Sequence, residues 1–167
     1  MALREKLFTF FLWWAVIGFS LWVGGTLFNM TVIVPVWSES PPESVRDFFG
    51  GTSFNKYINN FFGPPWMVIR NVPIIVALFL GWNSKLHRRY LLITTIIFII
   101  AVVHTLVYVY SINDVLMFKA GGDKTAEEIN TLVDKWIFAD RLRFAVMLPG
   151  YFFLLKAFRL PIPAQKN

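Results

Sequence analysis

Four stretches of the chain are too long and too apolar to be the half-buried elements of a water-soluble fold. Leu7 to Ser38 contains no charged residue, and Tyr90 to Asn113 is a second uncharged run. Tyr57 to Ser84 is interrupted only by Arg70, and Trp136 to Phe158 only by Asp140, Arg141, Arg143 and Lys156. A helix rises ~1.5 Å per residue, so ~20 apolar residues cross a bilayer. The pattern predicts spans at about 7–35, 64–84, 90–113 and 136–158. The expected fold is an all-α membrane protein: a four-transmembrane-helix, up-down-up-down bundle with a long first outer loop, residues 1–167 forming a single domain.

The connections differ in kind. Ser84-Lys-Leu-His-Arg-Arg89 is short and basic. Ser38 to Gly63 is long, with Pro41-Pro42, Gly50-Gly51 and then an aromatic and amide-rich stretch from Phe54 to Phe62. That stretch is expected at the membrane interface or folded over the bundle, as an anchor or as a lid. Gly121-Gly122 is expected to break the helix leaving the third span. Thr125-Ala-Glu-Glu128 has capping-box spacing, so the fourth helix should begin outside the membrane and run in as one rod. Gly18 and Gly24-Gly25 suit close helix packing on the first helix. No internal repeat is visible.

Composition agrees with the membrane reading: 56% of residues are hydrophobic and only 16% charged, too few charges to wrap a soluble core of this size. The net charge of +6 does not indicate nucleic acid, because of where it lies. With the N-terminus cytoplasmic, the inner side holds Arg4, Lys6, Lys85, Arg88, Arg89, Lys156, Arg159 and Lys166 against Glu5 alone. Inner positive charge sets orientation, so both termini are expected to be cytoplasmic, in the inner (plasma) membrane of a bacterium. The first apolar run is too long for a signal peptide and is read as a retained helix. The absence of cysteine removes disulfides, thiolate nucleophiles and Cys-based metal sites.

Ionisable groups at membrane depth are costly and need a partner or a purpose. Measured from the inner ends of their helices at ~1.5 Å per residue, Arg70, His104, Arg143, Asp140 and Trp22 all fall roughly 20–24 Å up, with Asn29 higher at about 33 Å. Helical spacing groups them into stripes: Trp136, Asp140 and Arg143 on helix four; His104, Tyr108 and Ser111 on helix three; Trp22, Gly25 and Asn29 on helix one; Arg70 with Asn71 on helix two. Facing inward, these stripes would line one pocket. The candidate catalytic set is His104, Asp140, Arg70 and Arg143, with Trp22, Asn29, Asn71, Tyr108 and Trp136 binding substrate. A plainer alternative is that the charges pair only to make burial tolerable. Arg141 points off this face and should snorkel.

The available chemistry is narrow. His87 and His104 lie at different levels, which argues against bis-histidine haem within one chain. Glu-x-x-His pairs for a di-iron site are absent from the spans. No metal or cofactor is therefore predicted, although haem or a metal at His104 stays open. What remains is a base (His104 or Asp140), cations (Arg70, Arg143), amides and phenols, and aromatic walls. Such a set could deprotonate an acidic carbon and hold the anion.

Three stretches carry a resemblance: Trp22-Val-Gly-Gly-Thr-Leu-Phe-Asn29 leading to Pro35, Arg70-Asn-Val-Pro73, and Trp136-Ile-Phe-Ala-Asp-Arg-Leu-Arg143. Together they resemble the family of small four-helix membrane proteins that includes the anthrone oxygenases of aromatic polyketide pathways. Asp140 stands where an amide is expected, a departure in the polarity of the site. The resemblance implies oxidation of an anthrone-like ring to a quinone by dioxygen, without a dedicated metal or flavin. The leading expectation is therefore a membrane oxygenase-like protein acting on a lipophilic, enolisable aromatic in an outer-half pocket. The alternatives are a non-enzymatic binder or transporter of a small molecule or lipid, and a haem- or quinone-binding redox subunit. Expected partners are a lipophilic small molecule and membrane lipid, with self-association left open and nucleic acid excluded.

Overall fold

The computed structural model describes residues 3–51, 53–63 and 65–162, and every regular element among them is helical. Lys166, counted above with the inner basic residues, and residue 64, where the second predicted span begins, lie outside the described residues.

The first rod is α1 (Leu3–Phe28), continued by a π-helical turn at Asn29–Ile33 into α2 (Val34–Trp37). The long loop after it is itself structured as α3 (Glu43–Gly51) and α4 (Phe54–Phe62), which lead into α5 (Trp66–Leu80). A third rod runs through α6 (Lys85–His104), a π-helical turn at Thr105–Val109, α7 (Tyr110–Asn113) and another π-helical turn at Asp114–Phe118. The last is α8 (Ala126–Phe158), 33 residues long. Three stretches, Leu3–Trp37, Lys56–Leu80 and Lys85–Phe118, are long and apolar enough to cross a membrane. α8 has the length, but Asp140, Arg141, Arg143 and Lys156 dilute its apolar character, so it does not join them on composition.

Neighbouring rods run antiparallel, as their contacts show. Arg4 Nε donates to the Leu80 carbonyl at 3.0 Å, while further along α1 Gly18 meets the Arg70 carbonyl and Gly25 meets Phe61. Tyr90 stacks on Phe153 at one end of the α6–α8 pair, and Trp136 Nε1 donates to Asn113 Oδ1 at 2.6 Å near the other. α1 and α8 are joined by Trp13 against Phe158 at 4.5 Å and by the Ser20 and Tyr151 hydroxyls at 2.8 Å.

α8 is the organising helix. From Ile129 to Ala157 its buried positions recur at alternating steps of four and three, the seam of a coiled coil. That seam is apolar at both ends and charged in the middle, at Asp140 and Arg143. The core follows suit and divides into two apolar clusters. One gathers Phe8, Phe19, Trp22, Ile74, Leu91 and Met147, and the other Val34, Trp37, Val109, Leu116, Val133 and Trp136.

The turn before α8 matches its sequence signals. Gly121 and Gly122 both take positive φ, 83° and 49°, which a side chain would disfavour. Thr125 and Glu128 then close a capping box, with Glu128 Oε2 accepting from the Thr125 N–H at 2.9 Å. The Lys124 ammonium bonds to Glu128 at 2.8 Å and, with the Thr125 N–H, draws its carboxyl down to about 2 from an ordinary 4.5. Thr125→Ala is expected to cost roughly 1 kcal/mol. A carboxyl depressed in the fold stabilises it fully above about 4.5, and that contribution fades as pH falls toward about 2. The wild-type melting temperature should therefore drop over this acid window by more than that of Glu128→Gln; parallel pH profiles would contradict the assignment.

Candidate functional site

The charged centre of the α8 seam sits between the two apolar clusters. Arg143 Nη2 donates to Asp140 Oδ1, and both side chains are buried. Arg143 Nη1 donates to Thr105 Oγ1 at 3.3 Å, and that hydroxyl in turn donates to the Ala101 carbonyl at 2.7 Å. The Asn29 side chain lies within hydrogen-bonding reach of Asp140. Asn29 and Thr105 are each the first residue of a π-helical turn. Such a turn holds one extra residue and re-aims the side chains at its start. Here two separate helices are re-aimed toward the same ion pair.

Bonding at this centre is incomplete. Asp140 Oδ2 and Arg143 Nε are buried and have no hydrogen-bond partner, and one turn before Asn29 the Thr26 hydroxyl is in the same condition. Buried polar atoms are rarely left this way.

Beside the ion pair opens a cavity of about 80 Å³. Arg143, Asn29, Thr105 and Asn113 give it polar points, and Trp22, Trp37, Trp136, Tyr110 and Phe62 give it flat aromatic walls. Trp37 and Trp136 meet edge to face at 5.2 Å, and the Asn113 bond holds the Trp136 indole. Concave, mostly apolar and with few convergent polar groups, it has the character of a small-molecule site.

Four of the predicted site residues, Trp22, Asn29, Trp136 and Arg143, stand in this wall, and Asp140 is bonded directly behind it. The others do not converge. His104 is near enough to interact electrostatically with Asp140 and Arg143, but its ring stacks on Tyr108 at 5.8 Å and lines no part of the cavity. Tyr108 is 42% exposed and Ser111 is also on the outside, so the expected inward stripe of helix three is a correction. Its cause is the π-helical turn at Thr105–Val109, which shifts the helical phase. The buried line now passes from Ala101 to Val109 and Ile112, with Thr105 turned to Arg143. Arg70 and Asn71 are buried but are not among the cavity's lining residues: the Arg70 backbone lies against Gly18 of α1 and its Nε is tied to the Trp66 carbonyl at 3.2 Å, while the Asn71 amide donates to the Met67 carbonyl at 2.6 Å. Among the described residues, the four predicted catalytic residues therefore do not all line this cavity. Arg141 is exposed, as expected.

Thr105, Asn113 and Trp37 escaped sequence reasoning. Reading helix three one residue later would have found Thr105, but an unbroken 3.6-residue period gives no reason to do so. No family model, curated protein or solved structure matches the chain.

Proposed function

We propose that the chain is an integral membrane protein of four spans, running up-down-up-down with both termini cytoplasmic, whose cavity binds a flat, lipophilic aromatic molecule bearing an acidic oxygen. The observation that carries this reading is Arg143, a buried cation with an unused N–H, set in the wall of an aromatic cavity. Its guanidinium is held in plane by Asp140 and Thr105, and a planar fork is suited to an oxyanion. Support for the membrane comes from the outside of the bundle. Leu21, Ile99, Ile100, Val103, Val107 and Phe152 are each about half exposed or more, an apolar surface that water would not tolerate. α8 is taken as the fourth span because Asp140 and Arg143 face the seam and neutralise each other, while the long side chains of the exposed Arg141 and Lys156 can carry their charges toward the membrane interface.

The test is saturable quenching of tryptophan fluorescence by a hydroxylated anthraquinone, since Trp22, Trp37 and Trp136 face the cavity. Arg143→Gln is expected to weaken binding roughly tenfold or more, the worth of a charged hydrogen bond. Val109→Phe, which fills the cavity from its wall, should do the same and leave the ion pair in place. Unchanged affinity in both variants rejects the site.

A second reading is turnover, favoured by the unpartnered Oδ2 of Asp140 and consistent with the resemblance to anthrone oxygenases. The ring methylene loses its proton to the Asp140–Arg143 pair at the cavity wall, Arg143 holds the oxyanion, and the carbanion reacts with dioxygen. The hydroperoxide then loses water, so CH₂ and O₂ become C=O and H₂O. Oxygen uptake with anthrone at no more than the protein-free rate would leave binding alone.

A further inference from the structure

A second cation lies in a place the cavity does not explain. Arg70 is only 5% exposed and its Nη1 has no hydrogen-bond partner. Among the described residues, no ion pair includes it. Its guanidinium lies over the Phe61 ring at 4.9 Å, and its Nε bond to Trp66 directs it back toward the start of α5. It forms part of an open groove of about 380 Å³ between α1, α4 and α5. Toward the loop end that groove is edged by Tyr57, Asn60 and Trp66, the amphipathic side chains of a membrane interface. In the other direction it runs along the apolar Ile17 and Trp14 of α1. Lys56 packs against the Tyr57 ring at 5.8 Å and adds a second positive charge near the mouth. None of the groove's lining residues is acidic.

A buried guanidinium without a counter-charge is costly, and more so next to lipid. The groove has the shape of the missing partner: a polar, cationic upper end and an apolar trough leading toward mid-membrane. We propose that it is a binding site for an anionic phospholipid of the outer leaflet, with the phosphodiester on Arg70 and an acyl chain along Ile17 and Trp14. Arg70 supplies planar N–H donors suited to a phosphate, and Trp66 and Tyr57 border the headgroup. This assigns Arg70 to the lipid and Arg143 to the cavity ligand. The site rests on the membrane reading above and is independent of what the cavity binds.

Native mass spectrometry of the purified full chain, titrated with phosphatidylglycerol and with phosphatidylcholine of the same acyl chains, tests it. The wild type is expected to prefer phosphatidylglycerol at least fivefold. Arg70→Gln should remove that preference, while Arg141→Gln, which changes an exposed arginine outside the groove, should keep it. Arg70→Gln could fail to fold, so Asn60→Asp provides a second route: it places a carboxylate in the lining at an exposed position and should also abolish the preference. Equal binding of the two lipids by the wild type overturns the proposal. So does a preference that survives Arg70→Gln or Asn60→Asp, or one that disappears in Arg141→Gln. Extraction of the chain from membranes by alkaline carbonate would instead refute the membrane reading itself.

Discussion

Asp140→Ala is expected to destabilise the fold by roughly 3–5 kcal/mol, the cost of leaving a buried charge without its partner. The residue removed is small, but the damage falls on Arg143, whose guanidinium would keep only the 3.3 Å bond to Thr105. The centre lies between the two apolar clusters, and the cavity on which Arg143 borders has mostly apolar walls. Arg143→Ala should cost a similar amount, since Asp140 already has one oxygen without a partner. The double replacement Asp140→Leu with Arg143→Met removes both charges and keeps most of the volume, so it is expected to be close to neutral. Thermal unfolding in detergent micelles gives all three values. Additive losses, with the double variant worse than either single one, would mean that the pair does not act as a unit. The apolar double variant should also fail to bind a hydroxylated anthraquinone while remaining folded, which separates what the pair does for stability from what Arg143 does for the ligand.

The all-helical fold with its long apolar rods was legible because crossing a bilayer would set a crude demand. Uncharged runs of sufficient length are visible without any knowledge of partners, and the Thr125–Glu128 box and Gly121-Gly122 are local signals read by nearest neighbours. The α8 half of the site was legible for a related reason: Trp136, Asp140 and Arg143 sit on an uninterrupted α-helix, where spacing alone fixes the face. The other halves were not. On the third rod, an extra residue in the turn at Thr105–Val109 changes which side chains face inward, and no residue in Thr-Leu-Val-Tyr-Val announces it. On α5, the sequence offers a height along the helix for Arg70, but height is one coordinate and the direction around the helix is another. That direction was settled by Gly18, whose missing side chain lets the Arg70 backbone approach α1. Equal height was thus necessary for a shared cavity and insufficient for it.

The same close approach gives the second large effect. Gly18→Leu is expected to destabilise the packing of α1 on α5 by roughly 1–3 kcal/mol, at the upper end of the range or beyond it. A Cβ at this position would collide with the carbonyl oxygen, carbonyl carbon and Cα of Arg70. These are backbone atoms, so no rotamer change relieves the overlap and one helix must move. In the membrane proposed above, helices gain little from hydrophobic burial against each other and depend on close packing, so separation here would not be offset elsewhere. Gly24→Leu is the matched control, because nothing lies within 4 Å of a Cβ there and the side chain would point outward. It should melt at or slightly above the wild-type temperature, since glycine is a poor helix former. At Gly25 the neighbour is the Phe61 side chain, which can rotate, so Gly25→Ala should fall between the two. The order Gly24→Leu, Gly25→Ala, Gly18→Leu in falling stability follows from whether the obstacle is nothing, a side chain or a backbone. Equal melting temperatures for Gly18→Leu and Gly24→Leu would mean that α1 and α5 do not meet where Arg70 requires them to, and the lipid groove beside them would lose its wall.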